Sequence, residues 1–312
     1  MWRFKKQRKN TDPTIMIQSR LKGMGVAFIT PFKADESVDY EAIVRLLDYQ
    51  ISNGTDFLVI LATTAETPAL SEEEKMKIRT LIVERVNNRI PIVLGFGGNN
   101  TKALVKQLKE DDLKGIDAIL SVVPYYNKPS QEGIYQHFKA VAAASCKPVI
   151  LYNVPGRTGV NMTAETTLRL AHDCENVIAT KEASGDFTQI DDIIKNKPAS
   201  FSVLSGDDGI TYPLITLGAV GVISVIGNAF PREFSQMTRL ALAGDSRNAL
   251  TIHHRFAELF KLLFVDGNPA GVKAMMSMMG LIENKLRLPL VPTRITTSER
   301  IREVLRTLDI KC

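Results

Sequence analysis

The chain has 312 residues, of which 45% are apolar and 23% charged; this ordinary globular balance excludes a disordered chain and a coiled coil. The formal charge is +5, yet residues 1–22 carry seven basic side chains against Asp12 alone, +6, which leaves −1 for the remainder. The basic excess is therefore no property of the body of the protein, and no apolar run reaches the ~18 residues that a membrane helix needs.

The first segment, 1–22, lacks the apolar stretch of a signal peptide. It reads as a basic, disordered extension. A transit peptide and translation from Met16 or Met24 are the competing readings, and nucleic-acid binding through the tail is a further one that salt-sensitive binding would reveal. Beyond it, short β-branched runs recur. They begin near Gly25, Phe57, Ile90, Ala118, Pro148, Val177, Phe201 and Gly221. Each is almost continuously apolar, as parallel strands buried on both faces are.

Helical patterns fill the gaps. Tyr40–Ile51 places Ile43, Leu46, Leu47 and Ile51 on one stripe. Ser71, with Glu74 three residues on, predicts a capping box that opens a helix over Ser71–Val86. Lys102–Asp112, Gln131–Ala144, Thr163–Ala171, Thr188–Lys195 and Thr211–Leu217 follow. Eight strands alternating with helices predict a (β/α)8 TIM barrel over 23–230. An open doubly wound sheet is the alternative, but no G-x-G-x-x-G follows the first strand. After Phe230 only helical patterns remain, so 231–312 is expected to be an appended helical domain.

Three cysteines, Cys146, Cys174 and Cys312, form no C-x-x-C pair. Their odd number argues against a disulfide framework and fits a reducing cytosol. The four histidines show no metal-ligand spacing, so no metal is expected.

A barrel of this kind carries its active site at the C-terminal ends of the strands. The polar residues there are Thr63, Thr64 and Glu66, then Tyr125, Tyr126 and Asn127, then Tyr152, Asn153 and Arg157. Lys181, Glu182, Ser205 to Asp208 and Ser224 complete the set. Lys181 interrupts an apolar strand, and by alternation it shares a face with Val177 and Ala179. An ammonium placed inside a dry barrel is disfavoured against the neutral amine, the form that attacks a ketone to make a Schiff base. The competing reading pairs Lys181 with Glu182 or Asp207. Tyr152 ends the neighbouring strand and is either a proton shuttle beside that amine or a rim tyrosine. Arg157 is either a carboxylate fork or a solvated arginine. Asp208 is expected to cap the helix that begins at Thr211.

Taken together, ITPF (29–32), ATTAET (62–67), PYYNKPSQEG (124–133), LYNVPGRTG (151–159), ATKEASGD (179–186), SGDD (205–208), GVISV (221–225), NPAGVK (268–273) and LRLPL (286–290) resemble the dihydrodipicolinate synthase family. These are pyruvate-dependent, class I aldolase-like enzymes of lysine biosynthesis. The resemblance spans about Leu21 to Ile310. It implies a condensation of pyruvate with L-aspartate 4-semialdehyde, with no cofactor beyond the imine on Lys181. Tyr152 would pass protons at that imine. Thr64 would link Tyr152 to Tyr126, which the family sends across a dimer interface. Thr63 would bind the pyruvate carboxylate, Arg157 the carboxylate of the semialdehyde, and Gly206 and Ile223 would line the pocket. A homo-oligomer, a dimer of dimers, follows from the same resemblance, as does a cytoplasmic enzyme with no nucleic-acid or membrane partner.

Two departures stand out. Ala62 and Ala65 replace the glycines of the family's Gly-Thr-Thr-Gly-Glu, which strains the turn if either position needs φ > 0. At the family's lysine-inhibition site Tyr125 and Asn99 match. Glu72 and Lys75, however, stand for histidines, and Ala103 for the acid that binds the lysine amine, so feedback by lysine is expected to be weak or absent. The alternatives to this function are another pyruvate-dependent lyase acting on a sugar or sialic acid, and a non-catalytic barrel that senses pyruvate or lysine.

Overall fold

A computed structural model describes residues 13–310. Eight parallel strands close into a barrel in chain order: β1 (Gly23–Ala27), β2 (Phe57–Ile60), β3 (Ile92–Gly95), β4 (Ala118–Val122), β5 (Val149–Asn153), β6 (Val177–Glu182), β7 (Ser202–Ser205) and β8 (Gly221–Ser224). β8 pairs back onto β1, Ile223 opposite Gly25. Every apolar run singled out in the sequence is thus a strand, and the closed ring removes the open-sheet alternative.

Helix α1 (Pro13–Arg20) precedes the barrel. Helices α2 (Tyr40–Ser52), α3 (Glu72–Val86), α4 (Thr101–Glu110), α5 (Gln131–Ala144), α6 (Pro155–Thr158), α7 (Ala164–Asp173), α8 (Phe187–Asn196) and α9 (Thr211–Leu217) alternate with the strands. After β8 come α10 (Pro231–Leu242), α11 (Ser246–Val265), α12 (Ala270–Met278) and α13 (Ile295–Thr307). The capping box at α3 forms as the spacing predicts. Glu74 N–H donates to Ser71 Oγ at 3.1 Å, and Ser71 N–H donates to the Glu74 carboxylate at 2.9 Å.

Alternation sorts the strand side chains into two layers. Val26, Leu58, Ile92, Ile119, Leu151 and Val203 face outward into the layer beneath the helices. Phe57, Val59, Val93, Leu120, Ile150, Leu204 and Ile223 fill the barrel. One strand breaks the rule. The register between β5 and β6 shifts by one residue, Val149 facing Val177 but Ile150 facing Ala179. Ile178 and Ala179 therefore both belong to the interior while Val177 belongs to the outer layer. Lys181 keeps the face of Ala179, as expected, but not that of Val177. A bulge adds one residue to a strand and so reverses the faces on either side of it.

The expected disordered extension, 1–22, needs a second correction. Its first twelve residues lie outside the described chain, but Pro13–Arg20 is helix α1. Ile17 and Leu21 are buried and join the barrel-filling cluster. Gln18 Nε2 donates to Ser202 Oγ at the start of β7 (3.0 Å), and Arg20 lies 3.7 Å from Asp117 just before β4. The helix thus closes the N-terminal mouth of the barrel. The apolar residues Ile15, Met16, Ile17 and Leu21 form no clean helical stripe in a basic, Pro-containing stretch, so the periodic signal is too weak to predict it. Leu21→Ala is expected to destabilise the protein by about 2–5 kcal/mol, measured as a lower urea midpoint at unchanged m-value.

Candidate active site

Tyr152 and Lys181 are opposite one another in the parallel register of β5 and β6. Both side chains point into the barrel, and the Lys181 ammonium lies 4.4 Å from the centre of the Tyr152 ring. Lys181 is only 5% exposed. It makes no ion pair with Glu182 or Asp207. Glu182 projects through the other face of the strand, where it accepts hydrogen bonds from Asn153 Nδ2 (3.1 Å) and Ser184 Oγ (2.8 Å). Asp207 caps the turn at the end of β7 through Gly209 N–H. The amine therefore faces an aromatic ring instead of a carboxylate. Gly206 closes its other side: a Cβ there would stand 3.1 Å from Lys181 Cε and 2.7 Å from Ala183 Cβ. Ile223 is fully buried in the barrel interior.

Thr63 and Thr64 lie on a single 3-10 turn, Thr63–Ala65, directly after β2. The positive φ angles of this turn fall on Leu61 (51°) and Glu66 (54°), not on Ala62 or Ala65. Ala62 has φ −101°, so alanine is unstrained where the family has glycine. The glycine that this turn does require is Gly95 on β3, where a Cβ would meet the Leu61 carbonyl oxygen at 2.2 Å.

The turn is held from the far end of the chain. Asn268 Nδ2 donates to Thr64 Oγ1 at 2.9 Å, both groups being buried. Glu66 and Lys273 are fully buried and form an ion pair at 2.5 Å. The Arg287 N–H donates to the same carboxylate at 3.0 Å, and its guanidinium grips the Glu74 carboxylate. Lys273 and Arg287 both stand over the Phe32 ring, 4.1 and 4.5 Å from its centre. Burial lowers Lys273 to about 8 even with Glu66 beside it. No role for Asn268, Lys273 or Arg287 follows from the sequence. The available signal was the one that drew attention to Lys181: a cation set among apolar neighbours, here Val272 and Ala274.

A cavity of about 570 Å³ opens at this end of the barrel. Thr63, Tyr152 and Arg157 line it, with Asn268, Arg287 and Tyr125. Arg157 is carried by α6, which begins two residues after β5 and ends at Gly159 with φ 73°. Tyr126 is not brought into this site. It stands 88% exposed on the loop after β4 with φ 74°, and its neighbour Tyr125 faces the cavity instead.

Asp208 does not cap α9. It is buried and its carboxylate accepts from Val225 N–H (3.0 Å) and Ile226 N–H (2.8 Å), pinning β8 to the turn after β7. Burial raises its carboxyl to about 6. A tertiary pair of amides thus takes the carboxylate that local capping would have used. Among the described residues, no cluster of three or more His, Cys, Asp or Glu could hold a metal ion, and no helix is long and apolar enough to cross a membrane.

Residues 20–308 match the dihydrodipicolinate synthetase family. The chain belongs to this family. It is 75% identical over 297 residues to the 4-hydroxy-tetrahydrodipicolinate synthase of Phocaeicola vulgatus, covering 95% of this chain and all of the relative. The enzyme of the same name from Parabacteroides distasonis is 74% identical over the same span and coverage. The crystal structure of dihydrodipicolinate synthase from Aquifex aeolicus superposes with a TM-score of 0.89 at 44% identity, covering 93% of this chain and 99% of that one. The family barrel and its lyase activity thus replace the open alternatives of fold and class.

Glu182 offers a pH-dependent test of the geometry. Burial raises its carboxyl from 4.5 to about 7, opposed by the hydrogen bonds from Ser184 and Asn153. The folded state then holds a proton that the unfolded chain has released. Stability from this group is full below pH 4.5 and is lost as pH rises to about 7, an effect of about 3 kcal/mol. Glu182→Gln cannot ionise. Its melting temperature is expected to gain on that of the parent across this window and to run parallel above it.

Proposed function

We propose that this chain condenses pyruvate with L-aspartate 4-semialdehyde through an imine on Lys181, the reaction of a 4-hydroxy-tetrahydrodipicolinate synthase. The observation that carries the reading is the buried Lys181 amine, free of any ion pair and set over the ring of Tyr152, a residue that lines the cavity. An amine held without an ion-pair partner is free to attack a ketone.

In this reading the Lys181 amine adds to the pyruvate ketone and expels water. The imine draws electrons from the methyl group, which loses a proton to give an enamine. The enamine carbon attacks the aldehyde carbon of the second substrate. Its amino group then attacks the imine carbon, closing the ring and releasing Lys181. Tyr152 is placed to move the protons at the imine. Thr63 binds the pyruvate carboxylate and Arg157 that of the semialdehyde. Gly206 leaves room beside Lys181, and Ile223 forms part of the pocket wall. No cofactor is needed, because Lys181 itself holds pyruvate.

Thr64 links Tyr152 to Tyr126 of a second copy. The exposure of Tyr126 supports that arrangement, and with it a homo-oligomer, a dimer of dimers. The enzyme is placed in the cytosol, with no nucleic-acid or membrane partner. A sugar-acid lyase is disfavoured, since an arginine fork at the rim suits a small carboxylate better than a polyol. A silent sensor is disfavoured because it has no use for the buried amine.

Borohydride reduction in the presence of pyruvate is expected to leave a stable adduct on Lys181 of the parent and none on Lys181→Ala. The variant's kcat should fall at least about a thousandfold, some 4 kcal/mol of activation barrier. An adduct retained by the variant, or a parent inert toward the semialdehyde, would sink the proposal.

Weak lysine feedback belongs to the same reading. Next to the active site lies a cavity of about 420 Å³ lined by Glu72, Lys75, Arg79, Ala103, Glu110 and Asp111. Its acids are already engaged: Glu72 with Lys75 (2.8 Å), Asp111 with Arg79 (2.8 Å) and Glu110 with Lys106 (3.9 Å). None is left to receive a ligand ammonium without breaking a pair. Submillimolar L-lysine is expected to leave the rate within about 20% of its uninhibited value in a coupled assay, whereas half-inhibition there would refute the reading.

A further inference from the structure

One residue beyond the Tyr152–Lys181 pair, the same two strands carry a second pair, Asn153 opposite Glu182. Alternation turns these side chains to the outside of the barrel wall, where both are fully buried. Asn153 Nδ2 donates to the Glu182 carboxylate at 3.1 Å, to Asn161 Oδ1 at 2.8 Å and to the Met162 carbonyl at 3.3 Å. Its Oδ1 accepts from Met162 N–H at 3.0 Å. Asn161 Nδ2 continues the chain to Gln189 Oε1 on α8 at 2.7 Å, and Ser184 Oγ holds the other Glu182 oxygen.

These contacts have two consequences. Asn153 and Glu182 bridge β5 and β6 at their C-terminal ends, directly after the pair that sets Tyr152 against Lys181. The reciprocal bonds between Asn153 and Met162 close the loop over 154–162, whose crest is the turn bearing Arg157. Packing alone would be met as well by two apolar residues, because a buried polar group gives up its hydration and regains it only by hydrogen bonding. A fully bonded polar pair does what an apolar pair cannot: it sets direction and distance.

Resting on the function proposed above, we infer that Asn153 and Glu182 are positioning residues. From outside the barrel wall they set the placement of Tyr152, Lys181 and the Arg157 turn for the reaction. They touch no substrate. Their work is to hold hydrogen bonds, so an amide should serve in place of the carboxylate. In Glu182→Gln the introduced side chain can accept from Asn153 with its oxygen and donate to Ser184 Oγ with its nitrogen.

The test compares Asn153→Leu, Glu182→Leu and Glu182→Gln with the parent. The readouts are kcat, KM for each substrate, borohydride trapping of pyruvate and circular dichroism. The expected result is folded leucine variants with kcat at least tenfold lower and slower trapping, Asn153→Leu also raising KM for the semialdehyde. Glu182→Gln should stay within threefold of the parent in every readout, a rescue that no loss of packing predicts. Should a leucine variant not fold, Asn153→Ser and Glu182→Ser carry the same thresholds. Folded leucine or serine variants within threefold of the parent would overturn the inference, as would Glu182→Gln falling as far as Glu182→Leu. A parent that traps no pyruvate overturns the proposed function and this inference together. A parent that traps, beside variants that trap and turn over equally well, overturns the inference alone.

Discussion

The parallel pairing that sets Tyr152 opposite Lys181 is the constraint on which the rest of the molecule depends. It puts a lysine inside a closed barrel with an aromatic face, not a carboxylate, for company. A buried amine with no carboxylate beside it has no ion pair to hold it, so the surrounding structure has to over-determine its position. Much of the architecture can be read as that over-determination. The bulge in β6 aims the side chain inward, Gly206 leaves space against its stem, and the Asn153–Glu182 pair ties the two strands from behind.

A second buried lysine supplies the contrast. Lys273 lies as deep as Lys181 but is matched by Glu66, set over the Phe32 ring and hydrogen-bonded to the Lys285 carbonyl. One lysine is neutralised by its partner and locks a turn, whereas the other stands over the Tyr152 ring with no ion pair. Burial is common to both, so burial does not separate a structural cation from a nucleophile. The presence of a carboxylate within reach does.

The appended helices thereby acquire a purpose within the site. The segment from Asn268 to Arg287 folds back over the turn after β2. It bonds Thr64, neutralises Glu66 and joins that turn to the start of α3 through Glu74. The catalytic end of the barrel is thus closed over by residues that follow its last strand. At the opposite end α1, which precedes its first strand, fills the other mouth with Ile17 and Leu21.

By itself the sequence determined the eight strands, their order, the helices between them, and the lysine that interrupts the sixth, because these follow from local periodicity and from the residue types at strand ends. The capping box at Ser71 was legible for the same reason. The tertiary structure alone decided which carboxylate each buried cation meets and that Asp208 binds two amides just after β8 instead of capping α9. It also decided that the strain of the Thr63–Thr64 turn falls on Leu61 and Glu66 and spares the alanines. Asn268 and Thr64 are 204 residues apart, and no periodicity spans such a distance. The β6 bulge is likewise invisible in the chain, since the apolar run Val177–Ala179 reads alike whether or not one of its residues is left unpaired. Contacts between distant segments depend on how the barrel closes, and that is settled only when every strand has found its neighbour.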